Sequence, residues 1–177
     1  MGGGSIMSYK KGFIRFLIVL SIAAFILLGS SALNPAAYAE QRYNVIACVS
    51  MDMKPMVQSP EMILGTYDCK GIMRSNNESK VFDNFTIHGQ GVVLYEGKNR
   101  TINGYLKYLD PDGDFVTFRY TQNQGEKAAT TTLLMGTGKW KGITGGGKAT
   151  LITRGKPVAA HTHQFCNNHK GTFTLPK

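Results

Sequence analysis

From residue 61 onward the chain alternates apolar and polar residues in short runs, the period-two pattern of strands with one buried face. In TINGYLKY, residues 101–108, Ile102, Leu106 and Tyr108 share one face, and Asn103, Tyr105 and Lys107 share the other. In DFVTFRYT, residues 114–121, Val116, Phe118 and Tyr120 oppose Thr117 and Arg119. Strands are predicted over 63–73, 81–88, 91–96, 101–109, 115–121, 128–135, 148–154 and 159–165, with 171–175 closing the chain. The connections SNNES, HGQG, EGKN, DPDGD, NQGE, GTGKWKGITGGG and RGKP carry turn-forming residues. No window has a sustained helical period. About eight antiparallel strands, each with one apolar face, predict an all-β barrel or sandwich, and closure into a barrel removes aggregation-prone edges. Residues 40–60, EQRYNVIACVSMDMKPMVQSP, contain one short apolar piece and two prolines, and read as an N-terminal arm or edge segment before a domain at 61–177.

The first 39 residues change the compartment. Lys10, Lys11 and Arg15 precede the apolar run LIVLSIAAFILLG, and Ala37 and Ala39 frame a small-residue cleavage site, so an export signal and a periplasmic or secreted protein are expected. The run is short for a permanent span, which leaves an uncleaved anchor as the weaker alternative. The whole chain carries 20 basic and 11 acidic residues, a net charge of +9, and the signal holds three of the basic ones. The remaining lysines lie singly, without a like-charge run or an arginine-rich helix. A solvated basic surface therefore outweighs nucleic-acid binding, although attraction to an acidic polymer or anionic membrane surface stays open.

Cys48, Cys69 and Cys166 in an oxidising space allow one disulfide and leave one thiol, with three pairings open. Cys69 lies in the first strong strand and Cys166 near the last. Those strands would be neighbours in a closed sheet, so Cys69–Cys166 is the favoured pair.

The run DPDGDFVTFRY, followed about fifteen residues later by GTGKWKGITGGG with a strand on each side, resembles the allene oxide cyclase-type barrel, a shape shared with plant dirigent proteins and the wider lipocalin-like barrels. The resemblance covers residues 63–175, and GTGKWKGITGGG is its most specific part. It implies a small closed antiparallel barrel of about eight strands with a central cavity, in an exported, bacterial-looking version. The plant cyclases' catalytic residues have no position-by-position match here, so their activity is not carried over. In such a barrel Tyr108, Phe118, Tyr120 and Trp140 are the expected contacts for a small apolar ligand. Trp140 and Ile143 would plug one end, with the indole N–H needing a partner.

Other motifs bear on chemistry. GITGGGK has the spacing of a phosphate-binding loop, but Ala149 stands where Ser or Thr is needed and a strand follows instead of a helix, so no nucleotide cofactor is expected. HTHQFCNNH places His161, His163, Cys166 and His169 within nine residues. On a continuous strand His161 and His163 share a face and could share Zn or Cu, while Cys166 faces away and His169 falls in the next turn. A metal-free histidine pair outweighs that reading. Met51, Met53, Met56 and Met62 suit Cu(I), but gap-filling against the barrel wall explains them more simply. DPDGD fails the spacing of a calcium loop and reads as a turn. Asp83 shares a predicted face with Val81, Phe85 and Ile87, and Glu96 shares one with Val92 and Leu94. If enclosed, these carboxyls would be the acid–base candidates of a cyclase or isomerase. A strand end or bulge would leave them in solvent. No cofactor, nucleic-acid partner or membrane span after processing is expected, and the leading function is binding of a small, largely apolar molecule.

Overall fold

Inward-facing residues, apolar along most of the strands, alternate with outward-facing ones, and the sheet they form closes on itself. The computed structural model describes residues 39–176, so the expected signal segment lies outside the described residues except for Ala39. The strands are β1 (Gln41–Gln58), β2 (Met62–Ser75), β3 (Thr86–Glu96), β4 (Asn99–Leu109), β5 (Phe115–Gln122), β6 (Ala128–Gly136), β7 (Thr144–Arg154) and β8 (Thr162–Thr174), and a short 3-10 turn at Gly138–Trp140 precedes β7. Every strand is antiparallel to its sequence neighbours, and β8 pairs with β1 to complete the closed barrel. The inner faces read from TINGYLKY and DFVTFRYT are the observed ones: Ile102, Leu106, Tyr108, Val116 and Phe118 are buried, and Tyr105 is exposed.

Residues 40–60 are a wall of the barrel, not an arm. Tyr43, Val45, Ala47, Met51 and Met53 project inward along β1, the longest strand. Pro55, which argued against a strand, sits at a register shift between Pro55 and Val57, where the ladder tolerates a missing N–H.

That extra strand overturns the favoured disulfide. β1 separates β2 from β8, and Cys69 faces the interior whereas Cys166 lies on the opposite face of its strand. Cys48 stands directly across from Cys166 in the β1–β8 ladder with Cα atoms 4.1 Å apart, and these two form the disulfide. Cys69 is the buried free thiol. A disulfide is the covalent signature of an oxidising compartment.

Several glycines read as turns are strand residues at close approaches. HGQG lies inside β3, where Gly91 pairs with Gly104 of β4 and a Cβ on Gly91 would stand 2.7 Å from the Tyr67 hydroxyl. In ITGGG the glycines belong to β7. Gly147 pairs with Gly171 of β8, over which the Tyr43 hydroxyl would meet an added Cβ at 2.6 Å. Two cross-strand glycine pairs thus make room for two inward tyrosines. CNNHKG is likewise the middle of β8, where a turn was expected.

The connections alternate between the two ends of the barrel. At one end the β2–β3 connection folds inward and seats Phe82 among Tyr43, Phe85, Phe118, Trp140 and Phe173, with ring centroids 5.1–6.1 Å apart. This aromatic plug closes that end. Phe82 holds a φ of +57°, a strained conformation that its buried contacts stabilise.

Candidate functional site

The open end leads into a chamber of about 70 Å³ whose apolar wall includes Val49, Ile87, Ile102, Leu106 and Phe165. This volume admits a few waters or a short apolar group, and is smaller than the roughly 150 Å³ that accommodates a benzene ring. Anything larger must extend through the mouth or displace side chains.

Polar groups converge at the inner part of the chamber. β8 alternates so that His163, Phe165, Asn167 and His169 all line it. The Tyr108 hydroxyl lies 3.4 Å from His169 Nδ1, and Tyr120 lines the same space. Burial alone drives the His169 pKa down to about 4, so the imidazole is neutral at physiological pH. Burial also pushes the Tyr108 and Tyr120 phenols up, Tyr120 despite the opposing effects of Arg100 and an Asn167 hydrogen bond. Cys69 joins the wall, and its thiol is pushed up to about 11 by burial and then by the charge of Asp68. The chamber floor is therefore uncharged at neutral pH but rich in hydrogen-bonding groups, and a neutral imidazole beside a phenol can accept or relay a proton.

At the mouth the lining becomes cationic. Arg100 at the start of β4, Lys127 before β6 and Arg154 at the end of β7 line the chamber along with His163, and the lining contains no aspartate or glutamate. Arg100 donates to the side-chain oxygen of Gln122. The His163 pKa is held below its usual value by burial first, then by the charges of Arg154, Arg100 and His161.

The expected site residues separate into two regions. Tyr108 and Tyr120 line the chamber, whereas Phe118 and Trp140 are buried away from it in the aromatic end, where Trp140 also borders an outer groove of about 450 Å³. Trp140 does find its partner: Nε1 donates to Asp110 Oδ2 at 3.0 Å. The other walls of that groove include Lys80, Asp112 and Lys139, and Lys139 is already paired with Asp110 and Asp112. The inner chamber, apolar with a few convergent polar groups, is the better candidate.

Asp83 and Glu96 do not enter the chamber. Asp83 lies in the β2–β3 connection, where its carboxylate accepts the Ser75 N–H at 2.7 Å and faces Arg74 at 3.3 Å. Glu96 is exposed at the end of β3. Because β3 runs unbroken through HGQG, its inner face is Ile87, Val93 and Tyr95, and Val92 and Leu94 have the opposite parity.

His161 and His163 are not set on one strand face either. β8 begins at Thr162, and His161 has a φ of +59° in the preceding turn, its carbonyl accepting the Met53 N–H at 2.9 Å. Among the described residues no group of three or more His, Cys, Asp or Glu side chains is arranged to hold a metal. Met51 and Met53 pack inward while Met56 is exposed, so the methionines do not converge. Of the residues missed by sequence reasoning, Arg100, Asn167 and His169 carry a parity signal, Arg100 in step with Ile102 and Tyr108 and the other two with Phe173. Arg154 carries none, because a register shift between Leu151 and Thr153 brings it opposite Phe165 on the inner face.

No protein-family model matches the chain, and no curated protein matches it. Similar solved structures include a protein of unknown function from the DUF3224 family of Shewanella oneidensis MR-1, at 9% identity and a TM-score of 0.48, covering 77% of this chain and 100% of that one. The pterocarpan synthase dirigent protein PsPTS1 is similar at 11% identity and a TM-score of 0.45, covering 78% of this chain and 97% of its own. A second pterocarpan synthase dirigent protein, GePTS1, has 10% identity and a TM-score of 0.46, with 80% and 89% covered. These neighbours establish no sequence family.

Proposed function

We propose that this is an exported, periplasmic or secreted barrel that binds a small, largely apolar molecule in its inner chamber. The observation that carries the reading is the chamber itself: one end of the barrel is sealed by the Phe82 plug, while the other opens onto an apolar wall with Asn167, His169 and Tyr120 along it. A core meant only for packing has no need of a buried, uncharged histidine facing a void. The test is native mass spectrometry of the protein isolated from its own host, beside an Ala149→Leu variant. Ala149 is buried on the chamber wall, so the larger side chain fills the space. A retained organic mass in the wild type, lost in a variant of equal or greater thermal stability, supports binding. An empty wild-type protein that also takes up no added ligand contradicts it.

A second reading, a cyclase or isomerase acting on a small apolar substrate, draws support from the Tyr108–His169 contact in place of the two expected carboxylates. Turnover abolished by His169→Gln with binding retained would distinguish it from a pure binding role.

A further inference from the structure

Arg100 and Arg154 occupy inward-facing positions at the mouth ends of β4 and β7, and Lys127 joins them from the β5–β6 connection. Among the described residues none of the three takes part in an ion pair. The acidic residues at this end are turned elsewhere. Glu61 accepts a hydrogen bond from the Ser59 hydroxyl at 3.0 Å, Glu126 accepts the Asn123 N–H at 2.9 Å, and Glu96 is exposed on the outer side of β3. Both arginines line the same opening as His163, with Arg154 paired across the ladder to the inward-facing Phe165. Cations converging on an apolar chamber without a counter-charge form the complement of an anion.

The chamber's size limits what that anion carries. About 70 Å³ admits a short chain or part of a ring, and the rest of the molecule must remain in the mouth among the cations. We propose that the ligand is a small amphipathic carboxylate, its apolar part inserted towards Leu106 and Phe165 and its acid group held by Arg100 and Arg154. The planar guanidinium fork matches a carboxylate in two-point contact, and Lys127 adds attraction from the rim. This inference rests on the reading that the chamber binds a ligand, and adds the class of ligand.

The experiment is calorimetric titration of the folded protein with matched acid–alcohol pairs: benzoate with benzyl alcohol, cinnamate with cinnamyl alcohol, and hexanoate with hexanol. Within at least one pair the acid is expected to bind about tenfold or more tighter than the alcohol. Its affinity should fall when sodium chloride is raised from about 0.05 M to about 0.5 M, because salt screens the exposed rim. The Arg100→Gln/Arg154→Gln double variant should lose about tenfold in acid affinity and leave alcohol binding unchanged. Circular dichroism and thermal unfolding establish that the variant is folded. Alcohols binding as tightly as their acids, or a double variant that keeps full acid affinity, would overturn the inference and leave the binding reading intact. Absence of binding by every member of the panel overturns both.

Discussion

Trp140 donates its indole N–H to Asp110 Oδ2 at 3.0 Å, joining the turn between β4 and β5 to the 3-10 turn before β7 at the closed end of the barrel. Lys139 Nζ lies 2.8 Å from the same oxygen. Burial pushes the Asp110 carboxyl up, but Lys139, the Asp112 backbone N–H and Trp140 outweigh it and hold the pKa below the usual carboxylate value. Asp110→Ala strands a buried indole donor and is expected to cost about 1–3 kcal/mol in denaturant unfolding. Asp110→Asn, which retains an acceptor, should cost less. A depressed carboxylate stabilises the fold above its unfolded pKa, and that contribution disappears as pH falls through the lower folded value. The acid-side loss of stability should therefore shrink in Asp110→Asn.

The Cys48–Cys166 bond closes a sequence separation of 118 residues. Oxidised protein should have an intact mass two hydrogens below the reduced chain, and proteolysis should yield a peptide linking Cys48 to Cys166. Cys69, buried and with its thiol pushed up to about 11, should resist alkylation at neutral pH until denaturant is added. Removing the bond with Cys48→Ser is expected to cost roughly 2–5 kcal/mol. A linked Cys69 peptide would contradict this arrangement.

His169 sets a distinct pH dependence. Its pKa is lowered from 6.5 to about 4 in the fold, so between those values the unfolded chain binds a proton that the native chain does not. Stability should therefore fall as pH drops from about 6.5 towards 4 and level off below, by at most roughly 3 kcal/mol. The groups facing it, Tyr108 and Tyr120, are neutral throughout that window because burial raises their pKa values. His163, also lowered, adds a smaller change in the same direction. Denaturant unfolding of His169→Gln across this range should show a flatter slope than the wild type.

The barrel was legible wherever the inward face was apolar, as at Ile102, Leu106, Tyr108, Val116 and Phe118. It was misread where other constraints govern the inward face. Gly89 and Gly91 looked like a turn because leucine and tyrosine side chains from neighbouring strands fill the space that their own side chains would have occupied. Asn167 and His169 looked like a turn because polar residues inside a barrel invert the expected pattern, and those same residues line the candidate site. β1 was lost to Pro55 within it and Pro60 just after it, and with it the correct disulfide, since strand adjacency depends on counting every strand. Glu96 followed from a break placed at HGQG, which reverses the parity of the residues behind it, and Asp83 from a strand begun too early, since residue 83 lies in the connection before β3.

Methyl-resolved NMR of Ile87, Ile102, Leu106 and Leu151 would show whether a ligand occupies the barrel interior. All four line the chamber, and no lining residue of the outer groove at Phe82 and Trp140 is shared with it. On titration with cinnamate, saturable shifts are expected that are confined to these chamber methyls and absent in Ala149→Leu. Shifts that map to the outer groove, or chamber methyls that do not move for any small apolar or amphipathic probe, would contradict it.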